Sequence, residues 1–179
     1  MNPAILFLDV DGVVRRGHED NWKYVNGPDD VIVFPGAVDF MREWKSRNPM
    51  NAIVAVSNQP AISIGHTSEE LTAQGFEETN RQCGGLFDFM LWCPHWPDND
   101  GPCRCRKPRP GMIYTGRDLV RQSNGTEYSL ADCLMIGDRV TDKMSAKAAG
   151  IDFDIPWWSE RSAELRSSVL DTQCATAPN

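Results

Sequence analysis

A chain of 179 residues, 41% hydrophobic and 24% charged, is long enough for one domain with a real core and too short for two ordinary ones. Its apolar runs fall far short of the ~18 residues a membrane span requires, and no basic-then-apolar stretch opens it. Neither a transmembrane segment nor a signal peptide is expected, and the default address is the cytoplasm. A formal net charge of −7 argues against a general polyanion binder, which needs a basic face to displace counterions.

The first element is the continuous apolar run AILFLD (4–9), which predicts a strand buried on both faces. Residues 13–34 form a long connection, read as a flap over a site rather than a domain. Pro35 then opens a helix with Ala37, Phe40, Met41 and Trp44 on one face, closed near Asn48 and Pro49. AIVAVS (52–57) reads as a second buried strand, followed by a helix from TSEEL (67–71) to about Gln82, with Thr67 and Glu70 at capping-box spacing. LFDFMLW (86–92) is a further strand. A third helix follows Pro110 with Ile113, Gly116, Leu119 and Val120 on one face. CLMIGD (133–138) is the next strand, and a helix over Thr141–Ala149 ends at Gly150. The tail, about 156–179, carries one short helix around 162–170. This alternation implies an α/β fold with a mainly parallel sheet covered by helices on both faces. Ligands then gather at the carboxyl ends of the strands, where Asp9, Ser57 and Asp138 are expected.

FLDVDGVV (7–14) ends its apolar run in two aspartates, which neither a strand nor a turn requires. Two carboxylates at i and i+2 can divide a reaction between them, one attacking and one handling a proton, if their surroundings separate their protonation. A carboxylate nucleophile suits phosphoryl transfer, which also calls for a cation and a lysine. DVDGV (9–13), SNQ (57–59), RKP (106–108) and GDRVTD (137–142) resemble, in order, the four motifs of the haloacid dehalogenase superfamily of phosphohydrolases. The resemblance implies a Rossmann-like three-layer α/β/α sandwich. It makes Asp9 the nucleophile and Asp11 the proton carrier, with Ser57 on the phosphoryl oxygens, Asn58 beside it, and Lys107 neutralising charge. Asp138 would hold Mg²⁺ with Asp9 and the backbone carbonyl of Asp11, while Asp142 reads equally as support for the metal or as a first-turn acid favoured by the helix dipole.

Within CPHWPDNDGPCRCRKP (93–108), Cys93, His95, Cys103 and Cys105 offer three thiolates and an imidazole, a closed tetrahedral set suited to structural Zn²⁺. Disulfides are the alternative, but Cys103 and Cys105 are poorly placed to bridge each other. Clamping this loop would fix Lys107 and Arg106 just beyond it. Cys83, Cys133 and Cys174 read as ordinary thiols. The segment resembles the branch of heptose bisphosphate and histidinol-phosphate phosphatases, small enzymes with a minimal cap. Val10 and Val13 depart from that branch's DRDGT, and SNQPAISIGH lacks the arginine of TNQSGIARG, which leaves the sugar open.

The expected function is therefore a Mg²⁺-dependent phosphatase of small sugar or alcohol phosphates, working as a monomer, with Arg106 and the flap helping choose the substrate. A nucleic-acid end-processing phosphatase is the alternative, opposed by the acidic balance and the cysteine loop. A phosphate-binding protein without catalysis is opposed by the presence of Asp9, Asp11, Lys107 and Asp138.

Overall fold

The computed structural model describes residues 2–18, 25–159 and 162–170. In chain order the strands are β1 (Ile5–Leu8), β2 (Arg15–Arg16), β3 (Ile32–Val33), β4 (Ala52–Asn58), β5 (Phe89–Cys93), β6 (Leu134–Ile136) and β7 (Asp152–Asp154). The helices are α1 (Pro35–Arg47), α2 (Glu69–Gln82), the single turn α3 (Pro97–Asp100), α4 (Gly111–Asn124), α5 (Val140–Ala149) and the short α6 (Ser162–Leu165). Five strands form one sheet in the order β5-β4-β1-β6-β7, every neighbouring pair parallel. The chain builds outward from β1 to β5, then returns to the other side of β1 for β6 and β7. That reversal leaves a crevice at the carboxyl ends of the central strands, where open parallel sheets bind ligands.

Period-two alternation divides the core into two layers. Leu6, Leu8, Ile53 and Ala55 pack with Phe40, Met41 and Trp44 of α1 and Phe76 of α2. Ile5, Phe7, Val54 and Val56 pack on the opposite face with Met112, Ile113 and Val120 of α4 and Ala146 and Ala149 of α5. The expected three layers are thus present, and the apolar positions assigned to α1 are all buried. Each fully buried large apolar side chain contributes about 1.5–3 kcal/mol to this arrangement.

Several boundaries differ from expectation. Helix α2 is capped by Ser68, whose Oγ accepts a hydrogen bond from the backbone N–H of Leu71 at 3.1 Å, in place of the expected Thr67–Glu70 box. Thr67 is held one residue outside the helix because its own N–H donates to the carbonyl of Ala61. The edge strand β7 was not anticipated; its sequence, Asp152-Phe153-Asp154, lacks an apolar run, and its pairing with β6 forms it. In the expected flap, β2 and β3 pair antiparallel, with Arg15 opposite Val33; the flap's residues 19–24 lie outside the described residues. So do 171–179 of the tail, including Cys174. The tail helix occurs as α6 followed by one π-helical turn, Arg166–Leu170, with Leu165 and Val169 packed on Ile155.

Helix α4 approaches the sheet closely at Gly116, where a Cβ would stand 2.8 Å from Val54 Cγ1 and 3.0 Å from Phe7 Cε1. Overpacking a core costs about 1–3 kcal/mol, more than the ~1 kcal/mol of helix propensity that glycine forgoes. Gly116→Val is therefore expected to destabilise the protein, by about 2 kcal/mol in urea unfolding, with the unfolding slope unchanged.

Candidate active site

The carboxyl ends of β1, β4 and β6 deliver the residues singled out in the sequence to one place. Asp9 follows β1 directly, and its backbone N–H donates to the carbonyl of Ile136 in β6, fastening the turn to the neighbouring strand. Gly12 closes that turn at φ 91°, and a Cβ there would lie 2.5 Å from Asp138 Oδ2. Glycine is required twice over at this point, for the left-handed conformation and for the close approach of the turn to Asp138.

Lys107 reaches into this cluster almost wholly buried, at 4% exposure. Its Nζ lies 2.6 Å from Asp9 Oδ1, 2.7 Å from Asp142 Oδ1 and 2.7 Å from the carbonyl of Val56. Burial works against the lysine's charge, but Asp142 and Asp9 more than offset it, so its pKa stands above the ordinary lysine value. Burial pushes the Asp9 carboxyl above the ordinary carboxylate range, with Lys107 opposing the rise and Asp142 and Asp138 adding to it. Asp9, Asp138 and Asp142 bring three carboxylates together, an oxygen of each within 4.8 Å of the others, and two of them pair with the Lys107 ammonium. A set of oxygen donors with surplus negative charge fits a hard divalent cation such as Mg²⁺.

Asp142 is a first-turn acid of α5 that also faces the lysine. Its Oδ2 accepts from the backbone N–H of Arg139 at 3.0 Å, capping α5, while Oδ1 pairs with Lys107. The opening of α5 is thereby bound to the lysine.

Asp11 sits beside Asp9 with both oxygens engaged. Arg15 Nε donates to Oδ1 at 2.9 Å; Gln59 Nε2 donates to Oδ2 at 2.6 Å, and the hydroxyl of Ser57 at 3.4 Å. Arg15 and Gln59 were not singled out in the sequence. Gln59 lies two residues beyond Ser57, and strand periodicity places both on one side, a signal that was available. Of the adjacent Arg15 and Arg16, nothing local says which turns inward; Arg15 is 2% exposed.

Asn58 was expected beside the substrate. It lines the cavity, but its amide faces Lys107: Nδ2 donates to the Lys107 carbonyl and Oδ1 accepts from the Lys107 N–H, each at 3.0 Å. Arg106 also lines the cavity, its guanidinium 5.0 Å from the Trp96 ring centre and donating to the His95 carbonyl at 3.1 Å. Arg139, another residue missed in the sequence, stands on the same wall with its Nε 3.8 Å from Asp138. The cavity, about 670 Å³, takes in Asp9, Asp11, Ser57 and Lys107 as well, ample for a small phosphorylated molecule.

Beside it, Cys93, His95, Cys103 and Cys105 form a second cluster. The sulfurs lie 3.2–3.6 Å apart and the His95 Nδ1 stands 3.3 Å from Cys105 and 3.4 Å from Cys93. These cysteines are free, and the separations approach the edge of about 3.8 Å that a tetrahedron with 2.3 Å Zn–S bonds would have. Burial pushes the Cys93 thiol well up, a penalty that a cation among the sulfurs would remove. The four ligand atoms thus fit Zn²⁺ in kind and spacing.

Comparison with known proteins agrees with this geometry. The "HAD-hyrolase-like" family model matches residues 104–153, the stretch from the cysteine loop through α5 to β7. The "D-glycero-beta-D-manno-heptose-1,7-bisphosphate 7-phosphatase" of Vibrio cholerae is 31% identical over 95% of this chain and 91% of its own. The protein of that name from Yersinia pestis is 34% identical over 83% of this chain and 77% of its own. Among solved structures, the D,D-heptose 1.7-bisphosphate phosphatase of B. bronchiseptica, complexed with magnesium and phosphate, superposes with a TM-score of 0.67. It is 28% identical, over 86% of this chain and 79% of that one. With an all-parallel sheet that carries paired aspartates, a buried lysine and further carboxylates at one edge, and with relatives this similar over nearly its whole length, the chain belongs to the haloacid dehalogenase-like hydrolases and is a phosphatase.

Proposed function

We propose that this phosphatase is Mg²⁺-dependent, carries the phosphoryl group transiently on Asp9, and acts on a small sugar phosphate of the heptose bisphosphate kind. The observation that carries the reading is the 2.6 Å ion pair of Lys107 with Asp9 in a cavity that Asp11 also lines. Asp9 supplies the attacking oxygen: its bond to phosphorus forms as the ester P–O bond breaks, and the leaving oxygen takes the proton carried by Asp11. Water then gives a proton to Asp11 as its oxygen bonds to phosphorus, and the bond from phosphorus to Asp9 opens to return the carboxylate and release phosphate. Lys107 neutralises charge on Asp9 and on the phosphoryl oxygens, and Ser57 donates a hydrogen bond to one of them. Asp9, Asp138 and the Asp11 carbonyl would hold Mg²⁺, with Asp142 supporting the set; the bound ion would supply charge neutralisation on the transferring group.

Cys93, His95, Cys103 and Cys105 would hold Zn²⁺ as a structural clamp with no open position. Arg106, tied to this loop through His95 and Trp96, would meet the rest of the sugar together with the flap. One chain supplies the nucleophile, the proton carrier, the lysine and the metal carboxylates, which supports a single catalytic domain working as a monomer.

Phosphate release across a panel of sugar phosphates, histidinol phosphate, nucleotides and 3′-phosphorylated oligonucleotides tests the function, with heptose 1,7-bisphosphate expected among the best substrates and the oligonucleotides among the worst. Asp9→Asn should lower turnover at least ~10³-fold while leaving thermal unfolding near that of the parent protein. Rapid quenching should place the phosphoryl adduct on Asp9 alone; an adduct elsewhere would refute the assignment. Cys105→Ser is expected to lose one equivalent of zinc by elemental analysis, to expose 93–108 to protease, and to reduce activity. Full activity without zinc would reject the clamp.

A further inference from the structure

One oxygen of Asp11 is held by a buried cation on the side of α2. Arg15 donates to Oδ1, and Arg15 is itself immobilised: its Nη1 donates to the carbonyl of Gly75 at 2.8 Å and to Thr79 Oγ1 at 2.9 Å, both on α2. Its guanidinium also lies 4.6 Å from the ring centre of Phe76, which in turn packs on Trp92 of β5 at 4.9 Å. Thr79 reinforces the seat, donating its own hydroxyl proton to the Gly75 carbonyl at 2.7 Å.

The other oxygen of Asp11 has weaker holders. Gln59 is neutral, and the Ser57 hydroxyl is 3.4 Å away. The bonds from Arg15 and Gln59 both end on a carboxylate, but the guanidinium adds the attraction of a full opposite charge in a buried setting, which the neutral amide does not. The two oxygens are therefore unequal: Oδ1 is pinned to a buried cation, and Oδ2 faces the buried Gln59 amide and Ser57, whose hydroxyl lines the cavity and stands at a distance a substrate oxygen could take.

We propose that Arg15 is a positioning residue that decides which oxygen of Asp11 handles the proton, anchoring Oδ1 to α2 so that Oδ2 is the one presented to the leaving group. The inference rests on Asp11 being the proton carrier, as read above. It makes α2 part of the catalytic arrangement although none of its residues reaches the substrate.

The test uses kcat/KM on two aryl esters that differ in leaving group. 4-Nitrophenyl phosphate departs with little help from an acid; phenyl phosphate needs the proton. Removing a general acid costs about 10²–10⁴-fold where the proton is needed. Arg15→Met is expected to lose roughly tenfold more on phenyl phosphate than on 4-nitrophenyl phosphate. Arg15→Lys, which keeps the charge but not the fork, should recover part of that difference. Equal losses on both esters would mean a purely structural role and overturn the proposal, as would no loss on either. Because a buried arginine is hard to replace without harming the fold, Thr79→Val provides a second measurement: it keeps Arg15 and removes one of its anchors, and should shift the ratio of the two esters in the same direction by about two- to fivefold. An unchanged ratio in Thr79→Val, with Arg15→Met unfolded, would also overturn the proposal. Asp11→Asn runs in parallel. If it lacks the preference for the better leaving group, the proton-carrier reading fails; if it shows that preference and the Arg15 variants do not, only the role of Arg15 fails.

Discussion

The whole site depends on accommodating one buried ammonium. Lys107 donates hydrogen bonds to a carboxylate oxygen of Asp9 after β1 and to the carbonyl of Val56 in β4, and it forms an ion pair with Asp142 in α5. Leaving such a group short of a partner costs several kcal/mol. That penalty draws the ends of two strands and the start of a helix to one point. The same requirement explains why Asp9 and Asp142 crowd together, and the further negative charge that Asp138 adds beside them suits a divalent cation.

The lysine also needs its backbone placed. Asn58 does this from the end of β4 by copying the hydrogen-bond pattern of a neighbouring strand onto Lys107. From the other side, the cysteine loop leads into Arg106 and Lys107, and it is joined to the segment after β4 by a hydrogen bond from Asn99 to the carbonyl of Ser63. The loop thus leads into two residues of the cavity lining, Arg106 and Lys107, although none of Cys93, His95, Cys103 and Cys105 lines it.

Much of this was legible in the sequence because the signals are local. Asp9 and Asp11 share a turn, the cysteines share one loop, and the buried strands β1 and β4 announce themselves as unbroken apolar runs. What escaped notice depends on tertiary contacts. Arg15 carries no mark that separates it from Arg16; its burial follows from the seat that Gly75, Phe76 and Thr79 make for it some 60 residues later. Asn58 sits in a motif associated with phosphate, yet only the fold reveals that its amide turns to the lysine's backbone. The cap of α2 moved from Thr67 to Ser68 because the preceding loop closes on Ala61. Strand β7 exists because β6 offers it an edge.

The position of β1 in the middle of the sheet has a consequence for synthesis. The strand that leads into Asp9 precedes both of its neighbours in the chain, β4 and β6, the second of which begins at residue 134. A ribosome adds about 5–20 residues each second, so β1 spends seconds as an apolar segment with no permanent neighbour on one flank. During that interval the nascent chain has neither a finished crevice nor a seat for its lysine, and both are completed only once α5 has brought in Asp142.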